Sequence, residues 1–222
     1  MIRAIIFDFD YTLGDSTNGI ALSINYALEK LGYSAQNIVD IKKTIGLSLK
    51  DTYKALTLKD NLAEAEQFAA LFKEKADEVM VANTQLYDGV EVVLKKLKAK
   101  GCKIGIVTTK FHYRIEQILN KFGMSEWIDL IVGAEDVKIA KPDPEGLLWA
   151  VEHLGIAKDE ILYVEDSHVD ARTAENASVN FAGVLTGTTS KETFKKYQSV
   201  FLGENILDIY HFISAWNEKR PE

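Results

Sequence analysis

Residues 3–16 read "RAIIFDFDYTLGDS", and the two aspartates in this stretch decide the fold. Apolar β-formers lead into Asp8 and Asp10, one residue apart, with Thr12 and Gly14 just behind. Like charges this close repel, and each loses favourable hydration if buried. A bound cation, a shared proton or exposure in a loop could each compensate.

Four more apolar runs follow: "CKIGIVTT" (102–109), "DLIVGA" (129–134), "EILYVED" (160–166) and "NFAGVLTG" (180–187). They are near-continuous rather than alternating, which marks strands buried on both faces. Helical spacing falls between and after them, at about 89–100, 111–122, 144–154, 168–177 and 190–198. This alternation predicts an α/β fold, a Rossmann-like doubly wound parallel sheet. Such sheets bind ligands at the carboxyl ends of their strands, where Asp8, Thr108, Glu165 and Asp166 all fall.

One segment departs from the alternation. "GIALSINYALEKLG" (19–32) carries Ile20, Ile24, Ala27, Leu28 and Leu31 on one helical stripe. "NLAEAEQFAALFKEKADEVMVAN" (61–83) continues with Leu62, Phe68, Leu71, Phe72 and Val79 at near-helical spacing. An all-helical cap inserted after the first strand is expected, with hinges near Gly14–Thr17 and Val81–Asp88. The division is then 1–14 and 87–222 for the core, and 15–86 for the cap. The terminal "NEKRPE" reads as frayed.

Composition narrows the function. The chain has 222 residues, 47% of them hydrophobic, enough for one large domain or a domain with an insertion. Its net charge is −7, and the densest basic run, "LKKLKAKG" (94–101), reads as the solvated face of a core helix. Nucleic acid is therefore not an expected partner. No apolar run approaches a membrane span and the first residues turn acidic early, so a cytoplasmic protein without membrane attachment is expected. The single cysteine, Cys102, fits a reducing compartment and reads as a small core residue.

Several residues could carry chemistry. A carboxylate at a strand end, such as Asp8, can attack phosphorus and split one displacement into two. Asp10 could protonate the leaving group and then activate water, although an acidic turn is the plainer reading of the pair alone. Oxygen ligands at this density suit Mg2+. In "IGIVTTKF" (104–111), Thr108 ends a strand where the next helix begins, which makes either a phosphate cradle or an ordinary N-cap. In "KIAKPDPEG" (138–146), Lys141 is held before Pro142 and could neutralise a phosphoryl group, whereas Lys138 reads as a surface lysine. Glu165 and Asp166 close an apolar strand with Asp170 one helical turn beyond; capping or metal ligation would explain them. In "TIGLSLKDTY" (44–53), Gly46 could give backbone access to substrate, and Lys50 is an anion contact or a solvated lysine. None of His112, His153, His168 and His211 is spaced as a zinc pair, and His168 alone lies in a candidate site loop.

Together, "DFDYT", "VTTK", "KPDP" and "EDSHVD" resemble, in order, the four motifs of the haloacid dehalogenase superfamily. The insertion resembles the cap of the subfamily with phosphoglycolate phosphatases and β-phosphoglucomutases. The resemblance implies Asp8 as nucleophile and Asp10 as general acid/base, with the Asp10 carbonyl on Mg2+. It implies Thr108 and the Thr109 amide on the phosphoryl oxygens, Lys141 as the neutralising cation, and Asp166 as second metal carboxylate. Glu165 or Asp170 would ligate directly or through water. Three residues depart from the family pattern: Tyr11 for Gly, Thr109 for Asn, and Glu165 for the Gly of the commonest form.

The expected function is a Mg2+-dependent phosphatase of a small phosphorylated metabolite, acting as a monomer or homodimer. The alternatives are a sugar phosphomutase, an inorganic pyrophosphatase and a non-catalytic phospho-aspartate receiver. The family's mutases carry an early cap histidine that "STNGIALSINYALEK" lacks, and a receiver would have no cap.

Overall fold

Ala4, Ile5, Ile6 and Phe7 form β1 (Ala4–Phe7), with every residue buried. The computed structural model describes residues 1–219. After β1 come β2 (Gly14–Asp15), α1 (Thr17–Lys30), α2 (Ile38–Lys42), α3 (Leu49–Thr57), α4 (Leu62–Val79) and β3 (Gln85–Leu86). Alternation then sets in: α5 (Val90–Ala99), β4 (Lys103–Val107), α6 (His112–Lys121), β5 (Leu130–Val132), α7 (Glu145–Leu154), β6 (Ile161–Glu165), α8 (His168–Ala177) and β7 (Asn180–Val184). The described chain ends with α9 (Lys191–Phe194), β8 (Phe201–Gly203) and α10 (Ile206–Glu218).

Six strands make one parallel sheet in the order β5-β4-β1-β6-β7-β8. This is the doubly wound α/β sheet that the apolar runs imply. Side chains alternate across it. Ala4 and Ile6 join Leu147 and Ala150 of α7 and Ala171 and Ala174 of α8 in one core cluster. Ile5 and Phe7 point to the other face, where α5 and α10 pack on the sheet and on each other. β1 and β6 are central neighbours, with Phe7 opposite Val164. That register sets the residues after both strands side by side.

Three local readings need correction. α9 is one turn, Lys191–Phe194, rather than a helix over 190–198. β8 and α10 follow it where no element was expected. Asn217 and Glu218 of "NEKRPE" belong to α10, and Asn217 binds Ile2 through both backbone groups, at 2.6 and 2.9 Å. Residues 220–222 of that hexapeptide lie outside the described residues.

The chain divides into two units, Met1–Gly14 with the chain from Leu86 onward, and Asp15–Gln85. The second unit is helical apart from the strand ends at its borders. Its core packs Ile24 and Leu28 of α1 against Phe68 and Phe72 of α4, with Tyr53 of α3 between the aromatic rings and Glu64.

Gly133, directly after β5, shows how tightly the sheet edge is built. A Cβ there would lie 2.2 Å from the backbone nitrogen of His112, which cannot move without shifting the start of α6. Gly133→Ala is expected to lower stability by about 1–3 kcal/mol, the usual cost of overpacking. Urea denaturation followed by circular dichroism measures it; an unchanged midpoint contradicts it.

Candidate active site

β1 stops at Phe7, and the Asp8 amide then donates to the Val164 carbonyl at 3.1 Å. This last rung places Asp8 beside Glu165, the final residue of β6. Between Phe9 and Gly14 the chain turns tightly: the Phe9 carbonyl accepts from the amides of Thr12, Leu13 and Gly14. Tyr11 sits in this turn with φ 61°, the left-handed region that glycine adopts at little cost. The departure from Gly thus leaves the turn intact, and Tyr11 carries about 1–2 kcal/mol of backbone strain. The Tyr11 amide donates to the Gly14 carbonyl at 2.8 Å, and the Thr186 hydroxyl donates to the Tyr11 carbonyl.

Asp8, Asp10, Glu165, Asp166 and Asp170 are all buried. Lys141, from the loop before α7, meets three of them: Nζ lies 3.1 Å from Asp8 Oδ1, 2.6 Å from Glu165 Oε1 and 3.0 Å from Asp170 Oδ1. The Tyr163 hydroxyl also donates to Glu165 Oε1, and Ser167 binds Asp170 Oδ2 while capping α8. Lys110 pairs with Asp10 Oδ2 at 2.9 Å. Thr12 Oγ1 reaches Asp166 Oδ1 at 3.5 Å.

These contacts do not neutralise the cluster. Five buried carboxyl groups face the ammonium groups of Lys110 and Lys141. Burial raises the Asp8 pKa to about 6; Lys141 opposes the shift, and Asp170 and Asp10 add to it. Glu165 and Asp166 are pushed well above the carboxylate range, first by burial and then by Asp170 and Asp8. Burial pulls Lys141 down, but Asp170, Asp8 and Glu165 outweigh it and hold the ammonium charged.

The donor set fits a hard divalent cation. Asp8, Glu165 and Asp166 each offer an oxygen, all within 4.8 Å of one another. Glu165 Oε2 is buried with no hydrogen-bond partner among the described residues. The Gly187 backbone presses so close that a Cβ there would overlap Asp166 Oδ2 at 1.8 Å. Carboxylate oxygens without sulfur or imidazole select Mg2+, Mn2+ or Ca2+. The Asp10 carboxylate and Asp170 stand outside this three-residue group, each held by a lysine.

Thr108 is buried, and its hydroxyl lowers the Asp8 pKa against the effect of burial. Thr109 is half-buried, whereas Lys138 and His168 are exposed. Gly46 and Lys50 belong to the helical unit; Gly46 has φ 94°, and Lys50 pairs with Glu66 at 3.5 Å on an exposed surface. Sequence reasoning gave no role to Lys110, Tyr163 or Gly187. The final K of "VTTK" stands in a quoted motif without a reading of its own, and its pairing with Asp10 is purely tertiary.

The model of the haloacid dehalogenase-like hydrolase family matches residues 5–184. Pyrophosphatase PpaX of Bacillus velezensis is 30% identical over 210 residues, covering 95% of each chain. A phosphoglycolate phosphatase of Xanthomonas campestris is 28% identical, over 83% of this chain and 84% of its own. A crystal structure from Bacteroides fragilis, described as haloacid dehalogenase-like, superposes with a TM-score of 0.91 at 38% identity, over 94% of this chain and all of that one. Motif order, sheet order and this match over most of the length agree: the chain belongs to the haloacid dehalogenase-like hydrolase family.

Proposed function

We propose that the protein is a Mg2+-dependent phosphatase of a small phosphorylated metabolite, working through an aspartyl-phosphate on Asp8. The observation that carries this reading is the buried ammonium of Lys141, 3.1 Å from Asp8 Oδ1 and shared with Glu165 and Asp170. An anionic nucleophile repels an anionic phosphate, and a rigid cation beside the attacking carboxylate offsets that repulsion. Asp8 attacks phosphorus while Asp10 gives its proton to the leaving oxygen. Asp10 then takes a proton from water, and the water oxygen displaces Asp8. Thr108 holds the Asp8 carboxyl, and with the Thr109 amide it binds phosphoryl oxygens at the start of α6. Asp170 and the Tyr163–Glu165 pair keep Lys141 in place. Mg2+, held by Asp8 and Asp166 with Glu165 and the Asp10 carbonyl, would supply charge stabilisation to the transferring group.

The Asp15–Gln85 unit is the cap in this reading. Its insertion seven residues beyond Asp8 supports that role, and substrate choice then rests on it, with Gly46 and Lys50 as candidate contacts. The names of the relatives, a phosphoglycolate phosphatase and a pyrophosphatase, support a small, strongly anionic substrate. Pyrophosphate is the second reading, favoured by the relative that matches along 95% of both chains.

Asp8→Asn is expected to abolish phosphate release from p-nitrophenyl phosphate, phosphoglycolate and pyrophosphate while circular dichroism stays native. Turnover in the variant would remove Asp8 as nucleophile. Interconversion of glucose 1- and 6-phosphates without net release would replace the phosphatase by a mutase.

A second test concerns the metal-free protein. The unfolded chain releases the Asp8 proton near 3.8 and the folded chain near 6. Between these values the native state binds more protons, so this group's contribution to stability falls as pH rises from about 4 to about 6. Asp8→Asn lacks this titration and should gain stability relative to wild type across that window. Mg2+ should stabilise wild type increasingly as pH rises through about 6, because it binds the ionised carboxylate. Thermal denaturation with EDTA or with Mg2+ reads both effects; parallel curves for the two proteins would exclude them.

A further inference from the structure

Lys110 follows Thr108 and Thr109 at the carboxyl end of β4, and its side chain is 4% exposed. A lysine buried this deeply is costly unless something is gained from its charge. Its ammonium lies 2.9 Å from Asp10 Oδ2. The other oxygen, Asp10 Oδ1, is also buried and has no hydrogen-bond partner among the described residues. The two oxygens of one carboxyl group are therefore unequal. Oδ2 is occupied by an N–H donor, so a proton carried by Asp10 resides on Oδ1.

We propose that Lys110 is a positioning residue that clamps Asp10 Oδ2 and so makes Oδ1 the proton-transferring atom. The proposal rests on the phosphatase reading and specifies one atom of it. In the first step an Asp8 oxygen bonds to phosphorus, the ester P–O bond breaks, and the departing oxygen takes the proton from Oδ1. In the second step water attacks phosphorus, the Asp8–phosphorus bond breaks, and the water proton returns to Oδ1. Asp10 ends as it began, and the products are alcohol and inorganic phosphate. Rotation of the carboxyl group would aim Oδ2 or the space between the oxygens at the leaving group; the lysine prevents it.

A lysine that only balanced buried charge would affect all substrates alike. One that aims the acid matters in proportion to how badly the leaving group needs a proton. The test is kcat/KM, which reports the first phosphoryl transfer, for Mg2+-loaded full-length protein on substituted phenyl phosphates. For both Lys110→Met and Lys110→Gln, loss is expected to reach about 10²-fold on phenyl phosphate and stay below about 10-fold on p-nitrophenyl phosphate, as removal of acid catalysis predicts. The glutamine variant keeps a polar group in the buried position should methionine unfold the chain, and circular dichroism confirms folding. In an Asp10→Asn background, removing Lys110 should not steepen the leaving-group dependence further. Equal losses across the series, or further steepening without Asp10, would overturn the role of Lys110 and leave the phosphatase reading intact. Absence of wild-type turnover across the series would overturn both.

Discussion

The structure depends on one electrostatic constraint: too many carboxylates in too little water. Register creates it. β1 and β6 lie side by side with Phe7 opposite Val164, so Asp8 and Glu165 emerge as neighbours, and Asp166 and Asp170 follow on the same edge. Lys141 ties Asp8, Glu165 and Asp170 together, and Lys110 holds Asp10. Burying each unpaired ion costs several kcal/mol, so a cluster with more acids than lysines favours whatever brings positive charge. Protons do this at low pH and a divalent cation at higher pH. Affinity for metal and reluctance to ionise are thus two results of the same geometry.

The fold was legible where physics acts locally. Buried parallel strands need continuous apolar runs, and the runs at 3–9, 102–109, 129–134, 160–166 and 180–187 contain β1, β4, β5, β6 and β7. Helices α5 to α8 followed from spacing in the same way. β8 is as short as β5 but lacks its β-branched residues: Phe201, Leu202 and Gly203 carry a weaker strand signal than Leu130, Ile131 and Val132. α10 did carry a signal: Asn205 caps it, and Ile206, Ile209 and Ile213 form its buried stripe. Reading "NEKRPE" as frayed missed the helix end at Asn217 and Glu218, since the anchor from Asn217 to Ile2 joins residues far apart in sequence.

The site divides along the same line. Acids at strand ends could be singled out because Asp8, Asp10, Glu165 and Asp166 all close apolar runs, although a turn or a cap would explain each pair alone. Of their companions, Lys141 was marked by the Pro142 that follows it, whereas nothing beside Lys110 in the sequence shows that it is buried. Lys110 acquires meaning only from Asp10, which the sheet brings to it, and the Tyr163 hydroxyl from Glu165, two residues on along the same strand. Tyr11 is a different case: its identity argues against φ 61°, yet three amide bonds to the Phe9 carbonyl and the anchor from Thr186 over-determine the turn. A strained residue persists where its surroundings leave it no alternative.

Strain at Tyr11 and repulsion among the acids share a location, the segment immediately after β1, and both oppose folding. They are tolerable because the rest of the α/β unit is conventional: central strands with every residue buried and apolar helices on both faces. A sheet interior of this kind can offset a few kcal/mol of local penalty, since each fully buried large side chain contributes about 1.5–3 kcal/mol. A preorganised site follows from that imbalance. Carboxylates held by a rigid sheet cannot spread apart to relieve their repulsion, so protons, a metal cation or the charge redistribution of the reaction must relieve it.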